Sequence, residues 1–174
     1  PELSAQQRGA IQDICFGTLR NLGLLKQILS QLLRKPLHER ELHALLLTAL
    51  YQLQFTRAAP YSVVDHAVKV ASHTGKGMGK GLVNAILRNF LRNRDELLRQ
   101  ASRTAAGRYS HPEWWLDTMQ QAYPAQWQQI LDCNNQHPPM TLRVNRRKTT
   151  VENYLAILGE AGIDARALGF EAIQ

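Results

Sequence analysis

The stretch Glu39-Arg40-Glu41-Leu42-His43-Ala44-Leu45-Leu46-Leu47-Thr48-Ala49-Leu50-Tyr51-Gln52-Leu53-Gln54-Phe55 decides the fold. Leu42, Leu45, Leu46, Ala49, Leu50 and Leu53 recur at the spacing of one α-helical face. Leu47 and Tyr51 add apolar surface on another side. A helix that is apolar over most of its circumference has to be covered by other elements on most sides. The segment is therefore expected at the centre of a helical bundle.

The flanking sequence supplies the cover. Ile11, Ile14, Cys15, Thr18 and Leu19 read as one face of a first helix that Ser4 can cap. Leu22 to Leu33 form a second apolar stretch, closed by Arg34-Lys35-Pro36. Proline stops a helix, and the cations before it suit a helix C-terminus. Pro60 opens a further helix with Val64, Ala67, Val68 and Ala71 inward, which runs into Gly75-Lys76-Gly77-Met78-Gly79-Lys80-Gly81. The helix that follows has Val83, Ile86, Leu87, Phe90 and Leu91 on one face. Ala105-Ala106-Gly107 reads as a break, and Ser110-His111-Pro112-Glu113 has the form of a capping box with Ser110 as the cap. Two short helices are expected at about 112–122 and 124–135, parted by Pro124.

After Pro138-Pro139 the period changes. Leu142 and Val144 alternate with Arg143 and Asn145 as in a strand. Val151, Tyr154, Leu155 and Leu158 restore a helix that Gly162 ends, and Ile163 to Ala167 read as another strand. The chain is thus expected to be mainly α, a bundle over residues 1–135 followed by an incomplete β-α-β segment over 138–174. A lone strand pair buries too little to stand alone. The second segment reads as the start of a domain, and Pro1-Glu2-Leu3-Ser4 as a beginning partway into a longer protein.

Charge supplies the functional lead. The 174 residues carry 21 Lys and Arg against 14 Asp and Glu, a net +7. The excess is local: residues 57–108 alone hold ten basic and three acidic side chains. A basic patch of this kind suits a polyanion. Backbone N–H groups at a helix start attract anions, and Lys76 and Lys80 stand beside one. At about 100° per residue, Arg88, Arg92, Arg99 and Arg103 fall on one stripe opposite the apolar face, provided that the helix continues past Arg94. An RNA-contacting surface and a merely solvated helix face both fit the stripe, and the glycine loop fits a phosphate cradle or a simple turn. Arg143, Asn145, Arg146, Arg147 and Lys148 cluster at a strand end, as a nucleic-acid contact or an exposed turn.

Other chemistry finds little support. The glycine loop has neither the spacing nor the Ser/Thr of a nucleoside-triphosphate loop, and GxGxxG fails as well. Cys15 and Cys133 have no CxxC spacing or adjacent base and read as buried, inert thiols. The six histidines lack metal-ligand spacing, so no metal is expected. Asp65 and Lys69 read as a surface ion pair. Trp114, Trp115 and Trp127 fit either the core or base stacking. No apolar run reaches the roughly 18 residues of a membrane span, and two distant cysteines without a disulfide framework lead to the expectation of a reducing cytoplasm. From these residues alone the chain is a basic helical binding module.

Five motifs in order carry a resemblance: Ile14-Cys15-Phe16-Gly17-Thr18-Leu19-Arg20, Ala49-Leu50-Tyr51-Gln52-Leu53, Gly81-Leu82-Val83-Asn84-Ala85-Ile86-Leu87-Arg88, Ser110-His111-Pro112-Glu113-Trp114 and Pro138-Pro139-Met140-Thr141-Leu142-Arg143-Val144-Asn145. Together the chain resembles the N-terminal part of the RsmB (Fmu/Sun) family of bacterial 16S rRNA cytosine-C5 methyltransferases. The resemblance implies a NusB-like all-α RNA-binding domain lacking its first helix, then the start of the small α/β subdomain before a catalytic domain. That catalytic domain would bind S-adenosylmethionine and use two cysteines. Neither Cys15 nor Cys133 matches them, so no catalytic or cofactor residue is carried over. The implied partners are 16S rRNA and the chain's own downstream domain. A stand-alone NusB-type transcription antitermination factor, binding RNA and a protein, is the alternative, and the strand-helix segment after Pro139 argues against it. A helical protein-interaction module is a third reading.

Overall fold

The computed structural model describes residues 2–73 and 79–174. Its centre is helix α3 (Arg40–Phe55), in which Leu42, Leu46, Leu47, Ala49, Leu50, Tyr51 and Leu53 are buried. Helices α1 (Ala5–Arg20), α2 (Leu22–Leu32), α4 (Pro60–His73) and α5 (Gly79–Arg92) all pack on it. Leu25, Ile28 and Leu29 from α2, Val63, Val64, Ala67 and Ala71 from α4, and Val83, Ile86, Leu87 and Phe90 from α5 complete one core. Helix α6 (Arg94–Ala101) adds Leu97 and Ala101 to it. A second, smaller core joins α7 (Ala105–Tyr109), α8 (Glu113–Ala122) and α9 (Trp127–Asn135) through Tyr109, Leu116, Met119 and Leu131. The fold is mainly helical, as the apolar periodicity indicates.

Local chemistry explains the helix ends. Ser4 caps α1 in a full capping box: the Gln7 N–H donates to Ser4 Oγ at 3.2 Å, and the Ser4 N–H donates to Gln7 Oε1 at 2.8 Å. A single residue, Asn21, ends α1 and begins α2, its side-chain amide donating to the Gly17 carbonyl. Asn93 does the same between α5 and α6, with φ −119° and ψ 24°. Asparagine competes for backbone partners in this way and interrupts helices.

Several expectations are corrected. The helix does not run past Arg94: it breaks at Asn93, so Arg88 and Arg92 lie on a different helix from Arg99, and Arg103 lies beyond both. Ser110 is not the cap of α8. Pro112 holds that position, while Ser110 closes α7 in the left-handed region at φ 55° and accepts a hydrogen bond from the Leu24 N–H. Cys15 and Cys133 are exposed, not buried. In α1, Gly17 and Thr18 are buried, whereas Ile11, Phe16 and Leu19 are exposed. The contact face is turned by about 80° from the apolar one. The reason is steric: Gly17 has no side chain, so the Tyr51 ring occupies the place of its missing Cβ.

The chain divides into two compact units, Pro1–Asn135 and Gln136–Gln174. The second has strand β1 (Leu142–Arg143), helix α10 (Val151–Glu160) and strands β2 (Ala167–Gly169) and β3 (Ala172–Ile173). Only Ala167 of the expected strand Ile163 to Ala167 is in β2, and Ile163 is exposed. The sheet order is β1-β3-β2, with β3 antiparallel to both neighbours. This is a split β-α-β arrangement, in which a third strand enters between the two that the helix connects. Val144 and Ile173 are buried in it.

A close backbone approach between α2 and α7 helps to tie the two cores of the first unit. A Cβ at Gly23 would strike the Ala106 carbonyl oxygen and fall 2.7 Å from Ser110 Cα, both backbone atoms that cannot swing aside. Gly23→Ala is expected to cost about 1–3 kcal/mol, read as a lower urea midpoint at an unchanged slope. A midpoint equal to that of the parent chain would show that α2 and α7 do not meet so closely.

Candidate nucleic-acid interface

Helix α5 reads Gly79-Lys80-Gly81-Leu82-Val83-Asn84-Ala85-Ile86-Leu87-Arg88-Asn89-Phe90-Leu91-Arg92 and contains no acidic residue. Val83, Ile86, Leu87 and Phe90 are at most 4% exposed and fix its inward face. Its other side exposes Lys80, Gly81, Ala85, Arg88 and Arg92. The result is a ridge of cations separated by small residues, on a helix that cannot rotate without exposing Phe90. Lys76 lies outside the described residues.

A cleft flanks the ridge on each side. On one side α4 contributes Tyr61, Val64, Asp65 and Val68, facing Asn84, Arg88 and Leu91 across a cavity of about 330 Å³. Arg88 Nε donates to Asn84 Oδ1 at 2.9 Å, which sets the guanidinium at the cleft edge. The expected Asp65–Lys69 ion pair is present at 2.7 Å. The hydrogen bond from Lys69 holds the Asp65 carboxyl below the usual carboxylate range.

On the other side the chain between α2 and α3 passes Arg34, Lys35, Pro36 and Leu37 along Leu82, Ile86, Asn89 and Arg92, enclosing about 680 Å³. α2 ends at Leu32, so Arg34 and Lys35 stand beyond the helix, exposed on this strap. Arg34 and Lys35 thus join Arg92, far away in sequence. Lys26 and His43 line a further groove against the same strap. The adjacent cations before Pro36 were the signal in the sequence. Their spatial link to Arg92 depends on tertiary packing and was not legible.

The other candidate residues have different surroundings. Arg99 is paired with Glu96, whose carboxyl this hydrogen bond lowers in pKa. Arg94 is tied to Gln54, with Nε on Oε1 at 2.8 Å and Nη2 on the carbonyl at 3.2 Å, pinning α6 to α3. In the second unit Glu171 takes both Arg146, at 2.9 Å, and Arg143, at 3.6 Å. Asn145 Oδ1 accepts from the Arg147 N–H and shapes the turn that leaves Arg147 and Lys148 exposed. Trp114 is exposed, and Trp115 and Trp127 pack on the smaller core.

A helical bundle bearing an acid-free cationic ridge, followed by the opening of a split β-α-β sheet, defines the class. Residues 1–92 match the NusB family, and residues 111–173 match the ferredoxin-like domain of RsmF/B-like methyltransferases. The chain belongs to the NusB family, and the order of its two matches fits the N-terminal part of the RsmB family. It is 47% identical over 165 residues to ribosomal RNA small subunit methyltransferase B of Serratia proteamaculans, covering 94% of this chain and 38% of that protein. The protein of that name from Yersinia pestis is 44% identical over the same shares, and that from Escherichia coli O1:K1 is 41% identical over 93% and 38%. The chain therefore spans less than half the length of these relatives. Among the described residues no helix is long and apolar enough to cross a membrane, and no cluster of His, Cys, Asp or Glu could hold a metal ion.

The lowered Asp65 pKa provides a check on the cleft geometry. Lys69→Ala is expected to raise it toward the ordinary carboxylate value, read by carboxyl-carbon NMR titration. An unmoved titration would mean that Lys69 does not reach Asp65 in solution.

Proposed function

We propose that this chain is the RNA-holding part of a cytoplasmic small-subunit rRNA 5-methylcytosine methyltransferase, placing 16S rRNA for a downstream catalytic domain. The observation that carries the reading is α5, whose exposed face holds Lys80, Arg88 and Arg92 without an acid and is joined by Arg34 and Lys35. Phosphate contact by such side chains releases counterions and supplies sequence-independent affinity. In this reading Lys76, Lys80, Arg88 and Arg92 are the primary contacts. Arg99, Arg143, Asn145, Arg146 and Arg147 are secondary, since Glu96 and Glu171 already hold three of those arginines. Residues 1–135 form the RNA-binding domain, and 138–174 open the subdomain that leads to catalysis.

The names of the relatives support rRNA as the substrate of the whole protein. The match of residues 111–173 to a methyltransferase-associated domain favours this reading over a stand-alone antitermination factor. Methylating a ring carbon requires a methyl donor, and S-adenosylmethionine is the expected one. The described residues do not fit it. The strand-to-helix turn between β1 and α10 contains no glycine that would let backbone N–H groups approach such a donor closely. Donor binding and ring attack belong in this proposal to the domain beyond.

The test is fluorescence anisotropy with a labelled 16S rRNA fragment across a salt series. Binding should weaken steeply as salt rises. Arg88→Ala with Arg92→Ala should reduce affinity and flatten the log–log salt slope by about 0.7 per lost phosphate contact on a single strand, without changing the melting temperature. Arg34→Ala with Lys35→Ala should act in the same direction, and Arg99→Ala should do less. No affinity for rRNA at low salt would refute the reading.

A further inference from the structure

The cleft between α4 and α5 has a composition that phosphate binding alone does not use. Its floor is apolar: Val64 is buried, and Val68 and Leu91 extend it outward. Over its mouth stands Tyr61, an aromatic ring left 78% exposed. Its edges carry Asn84, Asp65 and Arg88. With Asn84 Oδ1 taken by Arg88 and Asp65 Oδ2 taken by Lys69, the Asn84 amide protons and Asp65 Oδ1 remain as donor and acceptor. A nucleobase matches this set. It has two apolar faces to stack and an edge of alternating donors and acceptors, and single-stranded RNA is recognised by splaying such bases onto aromatic rings. At about 330 Å³ the cavity lies at the small end of ligand sites, which span roughly 300–1,000 Å³. That is room for one base and too little for a duplex.

Arg88 connects the cleft to the ridge. Its Nε is committed to Asn84, which leaves the terminal nitrogens to face a phosphate. A strand lying along α5 would therefore bring a phosphate to Arg88 and the attached base to the mouth of the cleft. We propose that the Tyr61–Asn84–Arg88 cleft receives one unstacked nucleobase of the bound RNA, stacked on Tyr61 and hydrogen-bonded by Asn84 and Asp65. This rests on the reading of α5 as an RNA-binding ridge and adds a base-reading element to it.

The test compares two labelled probes on the full chain: a short single-stranded oligoribonucleotide of mixed sequence, and the same sugar-phosphate backbone without bases. The base-bearing probe should bind more tightly. Tyr61→Ala should lower its affinity at least about five-fold, as expected for losing one stacked base, with the salt slope unchanged because no phosphate contact is lost. Tyr61→Phe should keep the parent affinity. A probe carrying 4-thiouridine should crosslink the unaltered chain at Tyr61 or its neighbours on α4, a readout independent of any variant. Equal affinity for the two probes, a Tyr61→Ala chain that binds like the parent, or crosslinks confined to the 34–37 strap would each overturn the pocket while leaving the ridge intact. Failure of both probes to bind at low salt would instead overturn the RNA-binding reading itself.

Discussion

Burial of α3 on most of its sides is the constraint on which the first unit depends. Fully burying one leucine-sized side chain contributes about 1.5–3 kcal/mol, and α3 presents Leu42, Leu46, Leu47, Leu50 and Leu53 to its neighbours. No two-layer packing covers that surface. α1, α2, α4 and α5 have to surround it, and each thereby commits one face inward. For α5 the committed face is Val83, Ile86, Leu87 and Phe90, so the direction of Arg88 and Arg92 is settled by core packing. The cationic ridge is the outward half of a helix whose inward half is held by α3.

What distinguishes the cations is whether an acid already holds them. An exposed ion pair such as Arg99–Glu96 is screened by water and adds little to stability, so it matters little to the fold. It matters more to a ligand, because the carboxylate that neutralises the arginine also repels phosphate at the same place. The same holds for Arg143 and Arg146 around Glu171. On α5 no such acid intervenes along the helix, and the one carboxylate in the adjoining cleft, Asp65, is matched by Lys69. The +7 net charge is therefore not equally available over the surface: glutamates hold Arg99, Arg143 and Arg146, whereas among the described residues the cations of α5 and of the strap before α3 form no ion pair.

Most helices were legible because burial imposes a period. α3, α4 and α5 carry it clearly, and their buried residues follow it. The departures have separate physical causes. In α1 the apolar pattern and the contact face disagree because a glycine admits a tyrosine ring, an event that involves two helices and leaves no periodic trace. At Asn93 the apolar stripe continues through Leu97 while the backbone turns, where the Asn93 side-chain amide also donates to the Asn89 carbonyl. Asn21 makes the same joint, and there the pattern on either side did mark a boundary. Ser110 satisfies the local rule for a cap, yet its hydroxyl serves the Leu24 N–H across the fold. β3 was missed because two residues are too short to show a period of two.

The candidate site was half legible, and the division follows from its construction. The cations of α5 share a helix, so spacing alone places Arg88 and Arg92 on one side. The clefts are made between elements. Tyr61 and Asn84 are 23 positions apart in the chain and line one cleft only because α4 and α5 pack against each other. Arg34 lines the same cavity as Arg92 because the strap after α2 passes along α5. Charge along one helix can attract any polyanion and discriminate little among them, since phosphates are alike in every sequence. Discrimination needs groups that face a base from a second element. The packing that buries α3 brings α4 beside the ridge, so the contact that stabilises the bundle also builds the wall against which a base could be read.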